Sequence, residues 1–369
     1  MKNMKLNRSV LVLILVLCIL LSVITAVVYF WLLPQYASQN NPPADTDNVT
    51  TTTITTTTTA PQPEMIKFEY FKDPNFSRGI DLGCANYQVD NFFRGNVYFN
   101  GNTSATPWWT GAQNFSRFEI IGTRPTDLGD GLFGYANEGK LLATYRDTDG
   151  ATALRMEVYA DNEFVDGEER SNWPHLLIGG DSLKNISRRI ADFSELTYSM
   201  DVKINFSENT MTEEEYDPSR HCAQTTAYFI IQNLERGSKG YGEFIWFGIP
   251  IFDNRSDFPG SMLIIDGDPS EDSDRGATGA VIYVIGGDDM LDEIYDGVNP
   301  KDGKWAHAEV NILPYVKAAL IMAQSKGLMT NTSFEQLSVG GFNLGWEVTG
   351  EFRASMDVKN ISLCGLSEE

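Results

Sequence analysis

Histidine, cysteine and positive charge are scarce in this chain of 369 residues. There are 3 His, 4 Cys and 28 Lys plus Arg against 50 Asp plus Glu, a net charge of −22. A surface this acidic repels nucleic acid and anionic lipid headgroups, and suits neutral ligands, cations or plain solubility. A three-histidine metal site would need His175, His221 and His307 together. Cys18 lies in an apolar run, and Cys84, Cys222 and Cys364 fit no zinc or redox spacing. Cys84 and Cys364, near the two ends of the body, are the preferred disulfide pair if one forms. The sequence also lacks a nucleophile elbow, a P-loop, a dinucleotide fingerprint, a zincin motif and internal repeats.

What is present begins with Val10–Leu33, apolar and without a charge. As a helix at 1.5 Å per residue it extends roughly 36 Å, enough to cross a hydrocarbon core. Lys2, Lys5 and Arg8 precede it and no Lys or Arg follows until Lys67, which predicts residues 1–9 in the cytoplasm and the body outside. The run is longer than a cleaved signal peptide requires, and Tyr29, Trp31 and Tyr36 mark its outer end, so it reads as a retained signal-anchor of a single-pass type II protein. Residues 34–64, with the threonine tract 50–59 and Ala60-Pro61-Gln62-Pro63, form an extended spacer that buries nothing. Asn-x-Ser/Thr sequons at Asn48, Asn75, Asn102, Asn114, Asn185, Asn205, Asn254, Asn331 and Asn360 would accept glycans in a eukaryotic or archaeal host.

From Met65 onward the pattern is period two. Leu196, Tyr198, Met200, Val202, Ile204 and Phe206 alternate with polar residues, as do Ala354, Met356 and Val358. Further strands are expected at 118–121, 141–145, 153–160, 175–178, 227–232, 244–251, 262–265, 280–285, 305–312 and 338–347. One helix is expected, started by Pro314, buried through Val316, Ala319, Leu320 and Ala323, and stopped at Lys326-Gly327. About a dozen strands and one short helix predict an all-β, antiparallel two-sheet sandwich of jelly-roll or concanavalin-like type, one domain over 65–369.

The sharpest candidate site is Trp305, His307, Glu309 and Asn311, which alternation places on one sheet face. The Trp would stack on a pyranose and the polar groups would bind hydroxyls, with His307 or Glu309 available as acid or base. Asn343 and Glu347 share a face in Gly340–Glu347, with Phe342 and Trp346 turned to the core. All six ligand candidates are expected to line one open surface. Trp108-Trp109 and Trp173-Pro174-His175 offer further aromatics. Phe244–Ile251 reads as a buried strand ending in the polar cluster Asp253-Asn254-Arg255. Asp266, Asp268 and Asp272 are candidate Ca²⁺ ligands in an acidic loop that departs from the EF-hand; no other cofactor is expected. Glu119, Glu157, Glu243, Glu309 and Glu347 are the strand-borne carboxylates that glycosidase chemistry could pair.

Anchor, threonine-rich spacer and Trp-dotted sandwich together resemble membrane-anchored surface proteins with a carbohydrate-binding or carbohydrate-active β-sandwich. The resemblance is architectural and transfers no catalytic residues. It implies binding of a neutral extracellular glycan, with a glycoside hydrolase or polysaccharide lyase and a structural or adhesive domain as alternatives. On balance a non-enzyme is expected.

Overall fold

A computed structural model describes residues 65–85, 92–101, 103–164, 174–181, 183–186, 188–267 and 278–368. Residues 1–9, expected to be a cytoplasmic tail, the apolar run Val10–Leu33 expected to be an anchor, and the expected spacer 34–64 lie outside these residues. Among the described residues no helix is long and apolar enough to cross a membrane.

The strands are β1 (Met65–Glu69), β2 (Ile80–Ala85), β3 (Phe92–Val97), β4 (Trp109–Ala112), β5 (Thr126–Gly129), β6 (Leu132–Ala136), β7 (Lys140–Arg146), β8 (Thr152–Tyr159), β9 (His175–Gly179), β10 (Glu195–Asn209), β11 (Ala223–Asn233), β12 (Phe244–Asp253), β13 (Met262–Ile265), β14 (Val281–Val284), β15 (Ala306–Asn311), β16 (Leu337–Val348) and β17 (Phe352–Glu368). They form two sheets. An eight-stranded sheet runs β15-β10-β17-β8-β7-β6-β5, with β1 also paired to β17; a nine-stranded sheet runs β13-β14-β12-β11-β16-β9-β4-β2-β3. Pairing is antiparallel except for β2–β4 and β12–β14. The two-sheet, all-β sandwich read from alternation is the fold.

The alternation decides which side chains face inward. In β10 Leu196, Tyr198, Met200 and Val202 are fully buried while Thr197, Ser199, Asp201 and Lys203 are half-buried on the other side. Across the core Tyr198 meets Phe229 at 5.3 Å, and the Trp346 indole N–H donates to the Met156 carbonyl at 3.0 Å, tying β16 to β8. Trp108 and Trp109 belong to this core, packed with Phe71, and Trp109 donates to the Asp73 carbonyl at 2.7 Å. They are therefore no sugar platform. Trp173 lies outside the described residues.

Helix α2 (Leu313–Ser325) carries Pro near its start and stops at Lys326, with Gly327 at φ 80°. Its buried face, Val316, Ala319, Leu320 and Ala323, is the one the spacing predicts. A second helix, α1 (Asp288–Tyr295), was not expected: its acids Asp288 and Asp289 stand in the first turn, where they complement the helix dipole, while Ile294 and Tyr295 turn inward. The expected strand at 118–121 is a loop. Side chains take backbone groups that a neighbouring strand would otherwise pair: the Ile120 N–H donates to Gln113 Oε1 at 2.8 Å, and the Phe118 carbonyl accepts from Lys140. Among the described residues no disulfide joins Cys84, Cys222 or Cys364. Cys84 sits on β2 of the nine-stranded sheet and Cys364 on β17 of the eight-stranded sheet, so the preferred Cys84–Cys364 pair does not form.

Candidate functional site

The six ligand candidates divide between opposite faces of the sandwich. Trp305, His307, Glu309 and Asn311 belong to the outer face of the eight-stranded sheet, because Ala306, Ala308 and Val310 take the core side of β15. Asn343 and Glu347 point outward from the nine-stranded sheet, because Leu344 and Trp346 point in. The core separates the two groups, so no single ligand of ordinary size touches both.

The β15 group is engaged within the protein. His307 Nδ1 lies 2.6 Å from Asp201 Oδ1 and its Nε2 3.8 Å from Glu309. Asp201 also accepts from Asn360 at 2.7 Å, at a residue held at φ 54° where the pairing of β10 with β17 shifts register. The Trp305 ring carries two ammonium groups, Lys203 at 5.0 Å and Lys359 at 4.4 Å. Asn311 Oδ1 accepts from the Leu196 and Leu313 backbone N–H groups, each at 3.2 Å, and so fastens the β15–α2 junction.

The outer face of the nine-stranded sheet is built differently. On β11 the residues Gln224, Thr226, Tyr228, Ile230 and Gln232 face out, since Ala223, Thr225, Ala227, Phe229 and Ile231 are buried. Register sets Tyr228 beside Gly248 and Asn343, Ile230 beside Trp246 and Gly341, and Gln232 beside Phe244. Two features result.

One is aromatic. Half-buried Phe244 and Trp246 meet edge to face at 5.6 Å, and Tyr228 meets Trp246 at 6.1 Å. The Trp246 indole N–H donates to Thr278 Oγ1 at 3.1 Å, and Thr278 donates to Asp266 at 2.6 Å. Asp266, a calcium candidate, is thus spent on orienting this ring; Asp268 and Asp272 lie outside the described residues. Among the described residues no group of three His, Cys, Asp or Glu could hold a metal ion.

The other is a polar row across β9, β16, β11 and β12. His175 Nε2 lies 4.0 Å from Glu347 Oε1, Gln224 Nε2 donates to Glu347 Oε2 at 3.2 Å, and Arg255 donates to Gln224 Oε1 at 3.3 Å and doubly to Asp253 at 2.9 and 2.6 Å. Burial pushes the His175 imidazole down, opposed by the Glu347 carboxylate, so the ring is neutral at pH 7. Burial, then the Glu347 charge, pushes the Tyr228 phenol up, so it keeps its proton. Between the two features sits Asn343, whose buried Oδ1 has no hydrogen-bond partner among the described residues.

Of the glutamates named from the sequence, only Glu347 projects from this face. Glu157 binds Ser355 and Tyr159 on the other sheet. Glu309 is on β15, and Glu119 is in the 113–125 loop. Glu243 binds Thr332 at 2.7 Å. The aromatic group was missed because Phe244–Ile251 is apolar throughout and reads as buried on both sides. The signal was Gly248, which follows Phe244 and Trp246 on their face: a Cβ there would come within 2.8 Å of the Tyr228 ring.

No protein-family model matches the sequence, and no curated protein matches it. Among solved structures the chain is similar to the family 11 xylanase from Neocallimastix patriciarum, at 12% identity and TM-score 0.31, covering 63% of this chain and 94% of that one. It is also similar to a family 12 xyloglucanase from Bacillus licheniformis (11% identity, TM-score 0.34, covering 66% and 89%) and to endoglucanase 3 of family GH12 from Trichoderma harzianum (9%, 0.34, 68% and 96%).

Proposed function

We propose that the chain binds a neutral glycan on the outer face of the nine-stranded sheet, between the aromatic group and the polar row. The observation that supports this most is the half-buried aromatic group of Phe244 and Trp246 with Tyr228 beside it. Trp246 and Phe244 present the apolar surface that a pyranose ring covers, and the Tyr228 phenol is a retained donor. A uronate would meet the Glu347 carboxylate and the chain's net charge of −22, which disfavours acidic polysaccharides.

Binding is favoured over hydrolysis by the state of the second carboxylate. Register places Gln224 between Asp253 and Glu347, so the two acids stand two strands apart, about 10 Å at the backbone. That spacing falls near the range of glycosidase pairs. Both Asp253 oxygens, however, are taken by Arg255. Of this pair, Glu347 is the carboxylate with capacity for a ligand.

The body is held outside a membrane in this reading, with Val10–Leu33 as anchor and 34–64 as spacer. Protease treatment of intact cells that removes the body and leaves a membrane-embedded stub supports that placement; a body protected from protease opposes it.

Affinity electrophoresis against soluble neutral polysaccharides tests the function. Retardation that survives Glu347→Gln and is lost in Trp246→Ala is the expected result. Reducing ends released by the native chain and abolished by Glu347→Gln would make it a hydrolase instead.

A further inference from the structure

Away from both outer faces, a lysine and a glutamate are shut in together. Lys140, the first residue of β7, is 0% exposed, and Glu163, just beyond β8, is 1% exposed. Lys140 Nζ lies 3.5 Å from Glu163 Oε1. The Ser116 hydroxyl, itself buried, touches both Nζ and Oε1. The other carboxylate oxygen, Oε2, accepts from the Arg117 backbone N–H at 2.6 Å. Gly139 roofs the site so closely that a Cβ would come within 2.8 Å of Oε1.

We propose that Lys140 and Glu163 become joined by an amide bond once the chain has folded. Exclusion from water disfavours a separated ammonium and carboxylate, and the step begins with transfer of a proton from Nζ to Oε1. Burial is also what pushes the Lys140 amine down, against the opposing pull of Glu163. The Nζ lone pair attacks Cδ. The charge that develops falls on Oε2, where the Arg117 N–H already donates. The C–Oε1 bond breaks, and Oε1 leaves as water with its own proton and one from Nζ, relayed by Ser116. One C–N bond forms, one C–O bond breaks, one water is released, and no oxidant is consumed. The bond would close the β7–β8 hairpin at its base, where the Tyr159 N–H already donates to the Gly139 carbonyl at 2.8 Å. Among the described cysteines no disulfide supplies such a tie.

The test is the mass of the full-length chain, produced in a bacterium without glycosylation and measured after denaturation. The proposal predicts a mass about 18 Da below that of the sequence, one water, with trypsin failing to cleave after Lys140 and its peptide joined to the one carrying Glu163. Glu163→Gln would lose ammonia instead, a deficit of about 17 Da, and Lys140→Arg would restore the full mass. A native chain with its full sequence mass and ordinary cleavage after Lys140 would show a plain buried ion pair and overturn the proposal.

Discussion

The two outer faces of the sandwich follow the same alternation and use it in opposite ways. On the eight-stranded sheet the charges satisfy one another. Asp357, fully buried, accepts from Arg155 at 2.7 and 2.9 Å and from Tyr145 at 2.7 Å, with Lys203 at 3.1 Å. Burial alone would push its carboxyl up; the Arg155 and Tyr145 hydrogen bonds outweigh that and hold it below the usual range. Lys359 is shared by Asp147 and Asp149, and covers Trp305. On the nine-stranded sheet the aromatics are half-open and an amide oxygen is unsatisfied. A Trp beside a His in the sequence therefore does not by itself mark a ligand face. What distinguishes the two faces is which aromatic surface remains uncovered after the protein has bonded to itself: Trp305 is covered by Lys203 and Lys359, while Phe244 and Trp246 stay half-open.

The largest expected effect breaks the closed face. Asp357→Ala leaves Arg155 and Lys203 without their buried partner, and should cost about 3–5 kcal/mol in denaturant unfolding while leaving glycan affinity unchanged. Next, Trp246→Ala should weaken glycan binding by roughly 30-fold, about 2 kcal/mol, with little change in stability. A pH series sharpens the same contrast. His175 has a depressed pKa in the fold, so the unfolded chain takes up its proton first. The stability this provides is complete above about pH 6.5 and is lost as pH falls from there toward the folded value. His175→Gln should flatten that part of the unfolding profile; an unchanged slope would remove His175 as its source. The smallest effect is Trp305→Ala, which gives up two cation–π contacts and should cost about 1 kcal/mol of stability without touching binding.

The fold was largely legible because its signals are periodic. The alternation of β10 and the Pro-to-Gly bounds of α2 can be read without tertiary knowledge. The short strands β1 to β6 were harder: Thr126–Gly129 has little alternation of its own and pairs because β6 lies beside it. The 118–121 loop was misread because apolar residues suggested a strand, whereas its hydrogen bonds go to Gln113 and Lys140. For the site, alternation correctly put Asn343 and Glu347 on one face and Trp346 on the other. It could not say which sheet β15 would join, and so could not separate His307 from Glu347. That depends on register between strands distant in sequence, such as β10 with β15, where Asp201 meets His307.

The ligand face proposed for this chain is the outer face of the nine-stranded sheet. Titration calorimetry with a neutral polysaccharide, run in parallel on Trp246→Ala and Trp305→Ala, tests it most directly. Loss of binding in Trp246→Ala with native affinity in Trp305→Ala is predicted. Native affinity in Trp246→Ala with loss in Trp305→Ala would contradict it and return the site to the face carrying His307.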